Sequence, residues 1–182
     1  QKLHAATLPS FCCRPSDCYL VTKGSMKAYL PRTAAFSWAP SSAEVDGLVM
    51  ATGTVAGALD ESFNNDSVLE LWKLDATPDD TMNLSPSVLG SVNASARFNR
   101  LGWGFAHRDK PHGLLAAGLE NGEVGVWDVG MLMDPSTASH SQILRNTVHK
   151  GSVRGLSFNQ PQPNLIATGS VNAEIFVWDL KS

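Results

Sequence analysis

Three tryptophans set the terms for this chain, because each closes the same kind of run: Leu69-Glu70-Leu71-Trp72, Val124-Gly125-Val126-Trp127 and Ile175-Phe176-Val177-Trp178. They stand 55 and then 51 residues apart. Their surroundings recur in order. An aromatic-bearing run comes first: Phe36-Ser37-Trp38, Leu101-Gly102-Trp103, Leu156-Ser157-Phe158. A small-residue run follows: Ala51-Thr52-Gly53-Thr54, Ala116-Ala117-Gly118-Leu119, Ala167-Thr168-Gly169-Ser170. A turn former then stands six residues ahead of each tryptophan: Asp66, Asn121, Asn172. Short β-type runs separated by turn residues predict antiparallel meanders. Three of them in phase predict three copies of one unit, each burying its apolar face only by stacking on a neighbour.

Between the units, Val88-Leu89-Gly90-Ser91-Val92 and Gln142-Ile143-Leu144-Arg145 read as outer fourth strands. Each follows a stretch rich in turn formers, Thr77 to Ser87 and Asp134 to Ser141, which reads as a loop. Two four-stranded units and a third without its outer strand are expected. No segment sustains apolar residues at helical spacing, so helix should be scarce.

The last unit, His149 to Leu180, adds an order of its own: histidine, a Gly-Ser turn, then Trp-Asp. That is the signature of a WD repeat, one blade of a β-propeller. In the motif a histidine, a Ser or Thr, an Asp or Asn in the tight turn and the tryptophan bond in series. The candidates here are His149, Thr168 or Ser170, Asn172 and Trp178, with Trp127 and Asn121, and Trp72 and Asp66, at the matching places. Buried polar groups must be paired, so such a network fixes strand register. Asn172 stands where aspartate is usual, which predicts a weaker network. Trp38 and Trp103 are expected to face neighbouring blades, as packing rather than as a cofactor cage.

The fold class is therefore all-β: a partial WD-repeat propeller of about three blades from a ring of about seven. Residues 26–93, 94–148 and 149–182 are the expected blades, the third incomplete. Three blades do not close a ring, so the chain is expected to be the N-terminal part of a longer protein, with an apolar blade face open at each end.

Composition removes several functions. With 43% apolar and 17% charged residues and a net charge of -3, the chain is globular and no natural partner of nucleic acid. No apolar stretch approaches the ~20 residues of a membrane-spanning helix. The leader, residues 1–25, is expected to be disordered or an artefactual extension, with Met26 a plausible start. Its Cys12, Cys13 and Cys18, even with His4, lack the paired spacing of a structural zinc site, so no metal is expected. No cofactor is expected either. His107-Arg108-Asp109-Lys110 imitates a kinase catalytic loop, but Leu114 stands where the metal-binding asparagine belongs. It reads as a polar turn. The run Gly118 to Gly130 lacks P-loop spacing and its lysine, and no carboxylate pair converges. Catalytic residues are expected to be none.

Longer runs narrow the family. Ala51 to Asp75, ATGTVAGALDESFNNDSVLELWKLD, resembles the first blade of the large outer subunit of the COPII vesicle coat, the Sec thirty-one family. That blade carries the same insertion, here Leu59-Asp60-Glu61-Ser62-Phe63. Arg97-Phe98-Asn99-Arg100-Leu101-Gly102-Trp103-Gly104 resembles the opening of its second blade. Pro163-Asn164-Leu165-Ile166-Ala167-Thr168-Gly169-Ser170, with Glu174-Ile175-Phe176, resembles its third. The resemblance implies a structural scaffold of the outer coat in endoplasmic reticulum to Golgi transport. Implied partners are the smaller WD-repeat subunit (Sec thirteen, through downstream sequence), inner-coat subunits and other propellers at cage vertices. Implied location is cytoplasmic, at endoplasmic-reticulum exit sites and on COPII vesicles, with membrane association peripheral and by recruitment. The alternative is a generic WD-repeat adaptor, such as a ubiquitin-ligase substrate receptor, because propellers are reused for many partners.

Overall fold

The computed structural model describes residues 26–56, 66–77 and 80–181, apart from the side chains of 77 and 80–82. The cysteine-bearing leader and the Leu59-Asp60-Glu61-Ser62-Phe63 insertion lie outside them. Eleven strands fall into three antiparallel sheets in chain order. Sheet one holds β1 (Ala34–Trp38), β2 (Leu48–Thr54), β3 (Val68–Thr77) and β4 (Asp80–Asn93). Sheet two holds β5 (Phe98–Gly104), β6 (Leu114–Leu119), β7 (Val124–Asp128) and β8 (Gln142–Asn146). Sheet three holds β9 (Val153–Phe158), β10 (Leu165–Ser170) and β11 (Ile175–Asp179). Each sheet is a meander, every strand pairing with its predecessor.

Register repeats with the sequence. Met50 pairs with Trp72, Leu115 with Trp127 and Ile166 with Trp178. Side chains alternate across a strand, so one register fixes both faces of a sheet. The tryptophan side, here the leading face, meets the preceding sheet. Phe98, Leu101, Trp103, Leu115 and Trp127 of sheet two pack on Val49, Ala51, Leu69 and Leu71 of sheet one. Leu156, Ile166, Phe158 and Trp178 of sheet three pack on Phe105, Leu114, Ala116 and Val126 of sheet two.

These seams fit bulk against small residues. A Cβ on Gly53 would lie 2.5 Å from the Phe98 ring, and one on Gly104 2.7 Å from that of Phe158. One on Gly102 would lie 2.8 Å from Leu156. Beside Val49 and Leu114, the inner strands of these trailing faces carry small residues, Ser37, Ala51 and Gly53 in sheet one and Gly102, Gly104 and Ala116 in sheet two, and the next sheet lays its large side chains on them. Close packing of this kind leaves no room for an added methyl group.

Three expectations need correction. Thr77 to Ser87 is mostly strand rather than loop: β4 begins at Asp80, and Leu84 and Pro86 pair with Ala76 and Leu74. Leu84 packs with Trp72 and Leu74, and that burial holds the hairpin extended despite its turn formers. The link from β7 to β8 is not all loop. It contains helix α1 (Val129–Met133), where Asp128 accepts from the Met131 N–H at 3.3 Å, and a 3-10 turn, Ala138–His140. Leu132 is fully buried, and α1 packs against β4 of the preceding sheet. Among the described residues no sheet covers Trp38. It lies on the leading face of sheet one, 46% exposed, whereas Trp103 at the same repeat position is 6% exposed.

Candidate interaction surface

The candidate hydrogen-bond network forms most fully in sheet three. Trp178 Nε1 donates to Thr168 Oγ1 at 2.8 Å, and Thr168 Oγ1 lies 2.8 Å from His149 Nε2. Thr168 and His149 are buried. The Thr168 hydroxyl thus accepts from the indole and also bonds the imidazole, linking the two rings. His149 Nδ1 has no hydrogen-bond partner among the described residues and stands 3.8 Å from Glu174 Oε2. Asn172 stays outside the chain. It is exposed, and its backbone N–H donates to Ser170 Oγ at 3.3 Å, so the two residues build the turn. Glu174 is the acid that faces the histidine.

Sheet one repeats half of this. Trp72 Nε1 donates to Thr52 Oγ1 at 2.9 Å, while Asp66 is exposed. Sheet two does not repeat it. Trp127 is buried, its Nε1 has no partner among the described residues, and Ala117 occupies the place of Thr52 and Thr168. Asn121 closes its turn by accepting from the Glu123 N–H at 3.0 Å. Sheet two is held instead by a residue the sequence reading missed. Glu123, fully buried, accepts from Ser95 Oγ at 2.7 Å, Arg145 Nε at 2.8 Å and Gln142 Nε2 at 3.1 Å. A buried carboxylate is tolerable only with such partners. The available signal was position, since Glu123 and Glu174 each stand four residues before a tryptophan.

Elsewhere the described surface carries turns and a groove. His107 and Lys110 exchange backbone hydrogen bonds as a turn between β5 and β6, and Lys110 is paired with Asp128. A groove of about 610 Å³ runs between sheets two and three, lined by Phe105, Leu114, Ile143, Pro163 and Leu180 with lysines at its rim. Beside it Asn164 and the Lys181 backbone donate to Asp179, whose carboxyl they hold below the usual carboxylate range. On the leading side of sheet one, burial pushes the Glu70 carboxyl up while Arg32 at 3.6 Å opposes the rise. Among the described residues no three His, Cys, Asp or Glu side chains converge as metal ligands. None of their helices is long and apolar enough to cross a membrane.

No protein-family model matches the chain. The chain is 54% identical over 159 residues, 86% of its length, to protein transport protein SEC31 of Mycosarcoma maydis. It is 37% identical over 83% of its length to that of Pyricularia oryzae. It spans only 11% of the length of either relative. Among solved structures it is similar to a chain of the COPII outer coat vertex on membranes, with TM-score 0.62 and 30% identity over 83% of this chain and 34% of that one. A chain of the Polycomb Repressive Complex 2 of Chaetomium thermophilum has TM-score 0.57 at 18% identity, covering 81% of this chain and 27% of that one, which is likeness of fold alone. The three sheets are thus part of a WD-repeat propeller.

Proposed function

This region is a SEC31-family propeller region from the N-terminal side of such proteins, and from that premise we propose that it is a structural scaffold of the COPII outer coat in endoplasmic reticulum to Golgi transport. The observation that carries the proposal is the similarity to SEC31 proteins over 86% of the chain, at 54% identity. The site geometry supports the same reading. Its buried polar groups go into fixing strands, and its exposed features are apolar faces and a groove suited to protein contact.

In this reading residues 26–93, 94–148 and 149–182 are successive blades. Thr168, His149 and Trp178 hold β10 and β11 in register with the segment before β9, as Thr52 and Trp72 do for β2 and β3. The region acts without catalysis, through other propellers at cage vertices and inner-coat subunits. The smaller WD-repeat subunit, Sec thirteen, joins through other parts of such a protein. The coat brings the region to exit sites of the endoplasmic reticulum, peripherally.

Flotation with liposomes coated in vitro by purified inner and outer coat proteins tests the proposal. The labelled chain should float with fully coated liposomes and stay behind with bare ones. A chain that ignores the coat, or that instead co-purifies with ubiquitin-ligase subunits, rejects it.

A further inference from the structure

Of the asparagines in this chain, Asn121 alone is followed by glycine. It is exposed at the turn between β6 and β7, while Gly122 beside it is buried, with φ 87°. The turn brings the Gly122 N–H back to the Leu119 carbonyl at 3.3 Å. The Asn121 side chain curls over the same backbone, and its Oδ1 accepts from the Glu123 N–H at 3.0 Å. An asparagine bonded in this way to the N–H two residues on carries its Cγ over the peptide nitrogen between, here that of Gly122. The Glu123 N–H polarises the side-chain carbonyl, as a donor in an oxyanion hole does. Glycine has no Cβ to block the approach. Two other asparagines each lack a part of this arrangement. Asn146 makes the same bond, accepting from the Val148 N–H at 2.8 Å, but the residue between is the β-branched Thr147. Asn172 holds the matching turn place in sheet three, but alanine follows it.

We infer that Asn121 is a site of spontaneous deamidation, and that its isoaspartyl product loosens the seam between sheets two and three. The Gly122 nitrogen attacks Asn121 Cγ and gives its proton to water. The bond from Cγ to the side-chain nitrogen breaks, and ammonia leaves. The succinimide so formed takes up water at either carbonyl, which yields aspartate or isoaspartate. Isoaspartate routes the main chain through the former side chain and adds a carbon to the backbone. The turn has no slack for it. A Cβ on Gly122 would already lie 2.7 Å from the His149 carbonyl oxygen and 3.2 Å from that of Gly151, both in the segment that leads into β9. Those atoms are backbone, so a longer turn displaces the segment from sheet two. The inference goes beyond the coat reading and does not rest on it.

The test is incubation of the purified chain at mildly alkaline pH, followed by peptide mass spectrometry with the other asparagines as internal references. Asn121 should convert at least about tenfold faster than Asn146 or Asn172, a ratio that corresponds to about 1.4 kcal/mol of barrier. The isoaspartyl chain, separated from the parent by its added negative charge, should lose hydrogen-exchange protection at least about threefold over residues 149–153. A freshly purified Asn121→Asp variant carries the charge without the added carbon, and should keep the parent's protection there. Asn146 or Asn172 converting as fast as Asn121 would overturn the site. So would an Asn121 that keeps its amide in the folded chain and loses it only in urea, since the fold would then block the reaction. Unchanged exchange over residues 149–153 in the isoaspartyl chain, or an equal loss in Asn121→Asp, would overturn the effect on the seam.

Discussion

At Trp127 a buried indole N–H lacks an acceptor among the described residues because Ala117 stands where the other two sheets place a threonine. An unpaired buried donor costs about 1–3 kcal/mol, more than the net value of an ordinary hydrogen bond. Ala117→Ser should therefore raise stability by about 1 kcal/mol, read from the midpoint of urea unfolding at unchanged slope. A midpoint that stays or falls would mean that the hydroxyl cannot reach the indole. Thr168→Val keeps the shape but takes the acceptor from Trp178 and the hydroxyl from His149, so it should cost about 1–3 kcal/mol. Glu70 carries a pH effect. Burial raises its folded pKa above the ordinary 4.5, so its contribution is full below that value and lost as pH rises through the folded pKa. Relative to Glu70→Gln, the parent should lose stability as pH climbs from about 4 toward neutrality, and a parallel pair of pH profiles refutes this. The threonines at Thr52 and Thr168, and the alanine replacing them, were legible once the small-residue runs were aligned. The acid facing His149 was not. The turn position pointed to Asn172, but Asn172 is exposed, and Glu174 on the strand approach faces the ring.

Elements were legible wherever the period was strict. Every run ending in tryptophan became the third strand of its sheet, because β-branched and aromatic residues suit a pleated surface. The long β3–β4 hairpin was not legible. Ser85, Pro86 and Ser87 look like a turn, and only the burial of Leu84 against Trp72 and Leu74 makes strand the better state. Helix α1 escaped notice because five residues are too few to show a helical period; its Asp128 cap was the available sign. The contact of α1 with β4 makes a sharp prediction. A Cβ on Gly90 would lie 2.3 Å from the Leu132 carbonyl oxygen, which is backbone and can move only with the helix. Gly90→Ala should cost about 1–3 kcal/mol in chemical denaturation, the ordinary penalty of overpacking. A neutral result would mean that α1 is free to lift from sheet one.

Taken whole, the molecule is a stack, and its stability follows position in the stack more than local sequence. Ile175 and Val177 are as apolar as Val124 and Val126, and nothing in their own runs separates a covered face from an open one. Coverage belongs to the neighbour. That is why the three-sheet architecture could be read from the chain while the exposure of Trp38 could not. A stacked array has approximately additive stability, each sheet adding its own strands and its seams. Sheet two has a seam on both faces and a fully hydrogen-bonded acid at its core, whereas sheet three has one seam and three strands. Hydrogen exchange should therefore grade along the chain, slowest in β6 and β7 and fastest in β11, because local opening costs least where the fewest apolar contacts are lost. Mass-resolved hydrogen exchange on the purified chain reads the gradient. Uniform exchange over all three sheets would show them opening as a single unit, and the additive picture would have to be abandoned.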